Sequence, residues 1–197
     1  MKLYSYVIAS DAGFAPNPND GWCTLACCKP NIRLSARKGD FVVGTGSAAQ
    51  TGNNTIVYIM HVDEKLTFDE FFKDARFQNR EDNIYHSENG RFIQSKNSNH
   101  GCGDIERDLG GRYVLISGPG HFSYFGRKAI PIPEEFRQMV KKGPGHKCNF
   151  EPAFLLQFVS WAQLQPKGKI GESFEKSSFQ AELPGPTPDD AQTRLMP

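Results

Sequence analysis

No charge of one sign dominates this sequence: Lys and Arg number 23 against 22 Asp and Glu, a net charge of +1. That balance argues against a protein that coats nucleic acid by phosphate neutralisation alone, because such domains are strongly basic. Recognition of a single base or nucleotide stays open. Long apolar runs are missing too. No window reaches the roughly 18 residues of a membrane span. The opening "MKLYSYVIAS" has one lysine, no extended apolar region and no small-residue cleavage site, so it reads as no signal peptide. With five cysteines, an odd number, the expectation is free thiols in a reducing cytoplasm. Internal repeats are absent. "GTGS" is not G-x-G-x-x-G and no helix pattern follows it, which argues against a dinucleotide-binding fold. The H-x-E with P-C-x-x-C of zinc deaminases and the G-x-S-x-G of hydrolases are also lacking.

What is present suffices for a packed core. The 197 residues are 38% hydrophobic and 12% aromatic, with 15 Phe, and fit one domain. Alternation predicts a strand over Leu3–Ser10. A long stretch dense in Gly, Pro, Asn and Asp follows, and such segments are often functional when ordered. "KGD" turns the chain into a strand beginning Phe41, Val42, Val43. "NTIVYIMHVDE" (Asn54–Glu64) reads as a central strand, with Val57 and Ile59 on one face and Ile56, Tyr58, Met60 and Val62 on the other. Thr67 with Glu70 spells a capping box, Leu66 with Phe71 a hydrophobic staple, and Phe68, Phe71, Phe72 and Ala75 the buried stripe of the helix they open. Gln78–Gly111 lacks a period and reads mostly as loop. "RYVLIS" and "HFSYFG" around Gly118-Pro119-Gly120 read as a hairpin. "PEEFRQMVKK", with Pro133 at its first position, and "EPAFLLQFVSWAQL", apolar nearly all round, read as helices. The end of the chain is poor in apolar residues and reads as a tail.

This order gives an α+β fold: a small curved, mixed or antiparallel barrel-like sheet with flanking helices. The expected division is a domain over 1–165 and a partly disordered extension over 166–197. One oddity is the strand from Phe41. Gly44 and Gly46 share a face that carries no side chain there, while Thr45 and Ser47 put hydroxyls on the other. A β-bulge or a close-packed helix explains this as well as a ligand does.

The block "LYSYVIASDAGFAPNPNDGWCTLACCKP" with "GDFVVGTGS", and later "YVLISGPGHFSYFG" and "GPGH", resembles the nucleotide modification associated domain 2 family over Met1–Leu164. More remotely, "KGD" before an apolar strand and then "IVYIMHV" is similar to the PUA-like superfamily, its EVE and ASCH branches above all. The first resemblance implies a place in modified-base systems of phages and bacteria. The second implies a pocket for a nucleotide base lined by the strand that ends in Gly44, Thr45, Gly46 and Ser47.

A base held out of a stack needs an apolar or aromatic platform and hydrogen bonds to its edge. Phe14 and Trp22 are the platform candidates, each otherwise a pin for the loop. Asp11, Asn17 and Thr24 are candidate edge readers, or else turn residues. Lys29 and Arg33 suit a phosphate, His121, Tyr124 and His146 the far side of the pocket. Lys29, Arg33, Arg37, Lys38, Arg76 and Arg80 would make a basic stripe only if the fold gathered them. Cys23, Cys27, Cys28, His100 and Cys102 have metal-capable side chains without a recognised spacing, so neither a metal nor a cofactor is expected. Buried free cysteine is the ordinary state.

The reading is a binding module for a modified nucleobase or nucleotide in a DNA modification or restriction context, with no membrane partner. One alternative is an enzyme acting on the same ligand, with Lys29, Cys23 and Thr45 as possible members of its site. The other is a protein-interaction subunit.

Overall fold

The computed structural model describes residues 1–95 and 104–174. Strand β1 (Leu3–Val7) is followed by β2 (Cys23–Leu25) and helix α1 (Pro30–Ser35), then β3 (Phe41–Thr45) and β4 (Thr55–His61). Next come β5 (Glu64–Thr67), α2 (Phe68–Lys73), the strands β6 (Tyr85–Glu88) and β7 (Arg91–Gln94), and α3 (Ile105–Leu109). Strands β8 (Tyr113–Ser117), β9 (Phe122–Tyr124) and β10 (Ile130–Pro131) precede a 3₁₀ helix at Glu134–Met139, α4 (Pro152–Gln163) and β11 (Gly168–Lys169).

These elements build four layers. A large mixed sheet runs β1-β3-β4-β9-β11, with β10 also on β4, and a small antiparallel sheet runs β2-β8-β5. Between them lies an aromatic-rich core of Tyr4, Tyr6, Tyr58, Phe122 and Tyr124 from one sheet and Cys23, Leu25 and Leu115 from the other. The outer face of the large sheet, with Leu3, Val43 and Ile59, is covered by Phe136 of the 3₁₀ helix and by Phe154, Phe158 and Ala162 of α4. The outer face of the small sheet, with Val114 and Ile116, is covered by Phe68 and Phe71 of α2 and by Tyr85 of β6. Among the described residues the architecture is α+β without a closed barrel.

Several local expectations are realised in detail. Thr67 caps α2, accepting from the Glu70 N–H while the Glu70 carboxylate accepts from the Thr67 N–H. Others are corrected. The long loop contains β2 and α1, and the stretch expected as loop contains the β6–β7 hairpin and α3. Strands β8 and β9 form no hairpin: β8 pairs with β2 and β5, β9 with β4 and β11. The segment after Pro133 is a 3₁₀ helix with Pro133 at its N-cap. Helix α4 is buried along one stripe only, four residues apart, and leaves Leu156 64% exposed. Of the residues expected as extension, Gly168 and Lys169 pair with Ser123 and Tyr124 of β9.

The glycines of β3 also find their reason. The β3–β4 register slips between Gly44 and Thr45, so that Gly44 faces Tyr58 and Thr45 faces Ile56. Val57 is the extra residue of a bulge. Its side chain therefore joins Tyr58 and Met60 between the sheets, while Ile56 joins Ile59 on the outer face, which corrects the simple alternation. A Cβ on Gly44 would fall on the Tyr58 ring and on Ile8, and one on Gly46 on the hydroxyls of Thr51 and Thr55. The bare face is filled by the protein itself. Gly44→Ala is expected to lower stability by about 1–3 kcal/mol through overpacking, read as a lower urea midpoint; an unchanged midpoint would contradict this packing.

Candidate functional site

The chain crosses between the two sheets twice at one end of the molecule. Leaving β4 at His61 it enters β5 at Glu64, and leaving β8 at Ser117 it enters β9 at Phe122. Backbone bonds tie the crossings together: the Asp63 N–H donates to the Ile116 carbonyl at 2.9 Å and the His61 N–H to the His121 carbonyl at 3.1 Å. The second crossing is the turn at Gly118-Pro119-Gly120, where Gly120 has φ +80°, a conformation suited to glycine.

Asp63 closes this junction. Its Oδ2 accepts the Gly118 N–H at 2.7 Å, and its carboxylate lies 2.7 Å from His61 Nδ1 and 2.9 Å from His121 Nδ1. Partial burial pushes the Asp63 carboxyl up, but the Gly118 N–H and the two imidazoles outweigh it and hold it below the usual carboxylate value. His61 is half-buried against the edge of the Phe41 ring, and His121 is exposed.

A cleft of about 370 Å³ opens beside the two histidines, between the strands and the C-terminal half of α4. Phe41, Ile59 and Val159 give it apolar walls, and His61, His121, Ser123, Gln163 and Lys167 give it polar groups. Ser123 is 1% exposed, yet its Oγ has no hydrogen-bond partner among the described residues. A buried hydroxyl left so forfeits its hydration without compensation. Lys167 donates from Nζ to the Ala162 carbonyl at 2.6 Å, and burial pulls its ammonium pKa down.

The residues singled out in the sequence are dispersed. His121 lies in this cleft. Lys29 and His146 come together elsewhere, in a cavity of about 310 Å³ that Arg107 also lines. There Lys29 Nζ stands 4.5 Å from the Tyr6 ring centroid; burial lowers the pKa of both Lys29 and His146. Asp11 accepts from the Tyr124 hydroxyl at 2.6 Å, and Tyr124 lines a third cavity of about 380 Å³ with Arg127 and Lys169. Phe14 is buried in the core under the small sheet, and Trp22 packs edge-on against Phe77 with Arg76 beside it. Thr45 donates its hydroxyl to the Tyr6 carbonyl. Ser47 Oγ is buried without a partner among the described residues.

The polar side chains of the long loop serve buried clusters. Asn17 donates to Asp82, as does the Thr24 hydroxyl, and Asp82 is paired with Arg80. Arg33, fully buried, donates to the carbonyls of Cys28, Tyr113 and Asp108 and lies 3.6 Å from the Asp108 carboxylate. Arg76 holds Glu64 and Asp74. Three of the six basic residues are thus internal or neutralised and unavailable to a surface stripe. Burial pushes the Cys23 and Cys27 thiols up, while His100 and Cys102 lie outside the described residues.

Sequence reasoning passed over His61 and Asp63. The signal was "HVD" at the end of β4, where two chemistry-bearing side chains follow an apolar strand two positions apart.

A family model described as "Nucleotide modification associated domain 2" matches residues 1–180, and the chain belongs to that family. The family's name associates it with nucleotide modification. No curated protein and no solved structure matches the chain. Among the described residues no helix is long and apolar enough to cross a membrane.

The junction's role is separable by substitution. Asp63→Ala strands the Gly118 N–H and both imidazoles and is expected to cost about 1–3 kcal/mol. His121→Ala, at an exposed side chain, is expected to stay within about 0.5 kcal/mol of the parent. Urea unfolding of both variants checks this, and equal losses would contradict it.

Proposed function

We propose that this member of the nucleotide modification associated domain 2 family is a binding module that takes up a nucleobase or nucleotide, a modified one of a DNA modification or restriction system, in the cleft beneath α4. The family's name supplies the nucleotide context. The cleft's size suits it, since ligand sites begin at about 300 Å³. Its chemistry suits it as well. Phe41, Ile59 and Val159 offer an apolar surface, while His61, His121 and Ser123 offer donors and acceptors to the edge of a base. The near-neutral net charge favours reading one base or nucleotide over holding a long stretch of backbone. The PUA-like relationship is part of the same proposal, supported by a mixed sheet whose strands β3, β4 and β9 line the cleft.

The observation that carries the reading is Ser123. Ser123 lines the cleft, and its buried hydroxyl lacks a partner among the described residues, which leaves it free to bond a ligand that reaches it. Ser123→Ala removes no hydrogen bond among the described residues and is expected to leave the melting temperature unchanged. It should weaken binding of the preferred nucleoside by roughly 2–10-fold. Thermal-shift screening of nucleosides and nucleotides, normal and modified, identifies the ligand, and calorimetric titration of parent and variant compares them. Equal affinity in the two proteins would sink the assignment of this cleft.

A second reading, an enzyme acting on the bound base, is favoured by the two imidazoles on one carboxylate, groups suited to moving protons near neutral pH. Mass spectrometry of the incubated ligand separates it from the first: an unchanged ligand supports the binding module and a new mass the enzyme.

A further inference from the structure

We infer that His61, Asp63 and His121 are the three protein ligands of a divalent first-row transition-metal ion of the zinc class, bound at the mouth of the cleft with an open position toward it. One donor atom of each residue lies within 4.8 Å of the other two. The residues come from the end of β4 and from the turn before β9, and the backbone bonds from His61 to His121 and from Asp63 to Ile116 hold those segments in place. The imidazole planes stand at 88° with centroids 5.8 Å apart, as rings converging on one point do.

Two nitrogens and one carboxylate oxygen make the donor set that suits zinc, cobalt, iron(II) or manganese, whereas magnesium and calcium prefer oxygen alone. Bonds of about 2.1 Å around a tetrahedral ion put donors about 3.4 Å apart. The present separations of 2.7 and 2.9 Å need to widen by about 0.5 to 0.7 Å, which small side-chain rotations supply. The carboxylate has the outer support such ligands receive, from the Gly118 N–H. A Cβ at position 118 would stand 3.3 Å from Asp63 Oδ2, so glycine keeps that approach open. Three protein ligands leave the fourth position to water or to the cleft's occupant. Ser123, whose buried hydroxyl has no partner among the described residues, lines the same space, an independent sign that it receives a polar guest. The site stands on these contacts alone and does not depend on the nucleotide assignment.

The test uses the full chain, stripped with a chelator and titrated with Co²⁺ under reducing conditions. Visible absorption and elemental analysis after desalting report coordination and stoichiometry. The expected result is one saturable equivalent with weak d–d bands and no thiolate charge-transfer band, displaced by Zn²⁺ and not by millimolar Mg²⁺. His61→Ala and His121→Ala should abolish saturation while circular dichroism shows both folded; His121 is exposed, so at least that variant should survive. The inference is overturned if the parent takes up no cobalt. It is equally overturned if His121→Ala binds cobalt like the parent, or if a thiolate band shows that Cys28 or Cys148 holds the ion. Nucleoside titration of the stripped protein reads the cleft separately from the metal.

Discussion

The fold depends on one constraint: the chain passes between two stacked sheets twice at the same place, and the crossings must be held against each other. Asp63 does this. Its N–H is fixed to Ile116 and its carboxylate meets Gly118 and His121, so a residue of the β4–β5 crossing is bonded to both sides of the β8–β9 crossing. Hydrogen bonds to an ionised acceptor are among the stronger ones available. Strands β8 and β9 separate here into different sheets, and the cleft lies beside this junction, between the large sheet and α4. The histidines stand at its mouth because they flank the same junction. The junction and the site beside it thus share one carboxylate.

Burial of charge explains why the long loop contributes structure. A buried ion persists only when paired and hydrogen-bonded. Arg33 and Arg80 each find a carboxylate and backbone carbonyls to do so. Asn17 and Thr24 complete the Asp82 cluster. Gly111 makes room for the Arg33 guanidinium, which a Cβ at that position would meet. Loop residues that looked free to greet a ligand are consumed in fastening the small sheet's outer face. Of the loop residues singled out, Lys29 still lines a cavity.

What the sequence revealed follows from the range of the interactions involved. The α2 cap is local, three residues from Thr67 to Glu70, and was legible as letters. Strands β1, β3 and β4 carry enough apolar residues to be read directly, and Gly44 and Gly46 suggested a β-bulge, a close-packed helix or a ligand, of which the register slip after Gly44 realises the bulge. Strand β2, three residues long, has no period to detect and exists because β8 pairs with it. The separation of β8 from β9 is equally invisible, since Gly-Pro-Gly serves a hairpin and a crossing alike. Of the candidate site only His121 was singled out. Its partners His61 and Asp63 lie about 60 residues earlier, and nothing local shows that Asp63 would close on a turn so distant.

The central claim is that the cleft beneath α4, rather than the cavities at Lys29 and His146 or at Tyr124 and Arg127, holds the base. Amide and histidine side-chain chemical shifts of the labelled protein, followed while the nucleoside from the screen is titrated in, test it most directly. The account predicts shifts centred on His61, His121, Ser123, Val159 and Gln163, saturating together. Saturable shifts centred on Lys29, Arg107 and His146, with the cleft residues unmoved, would contradict it.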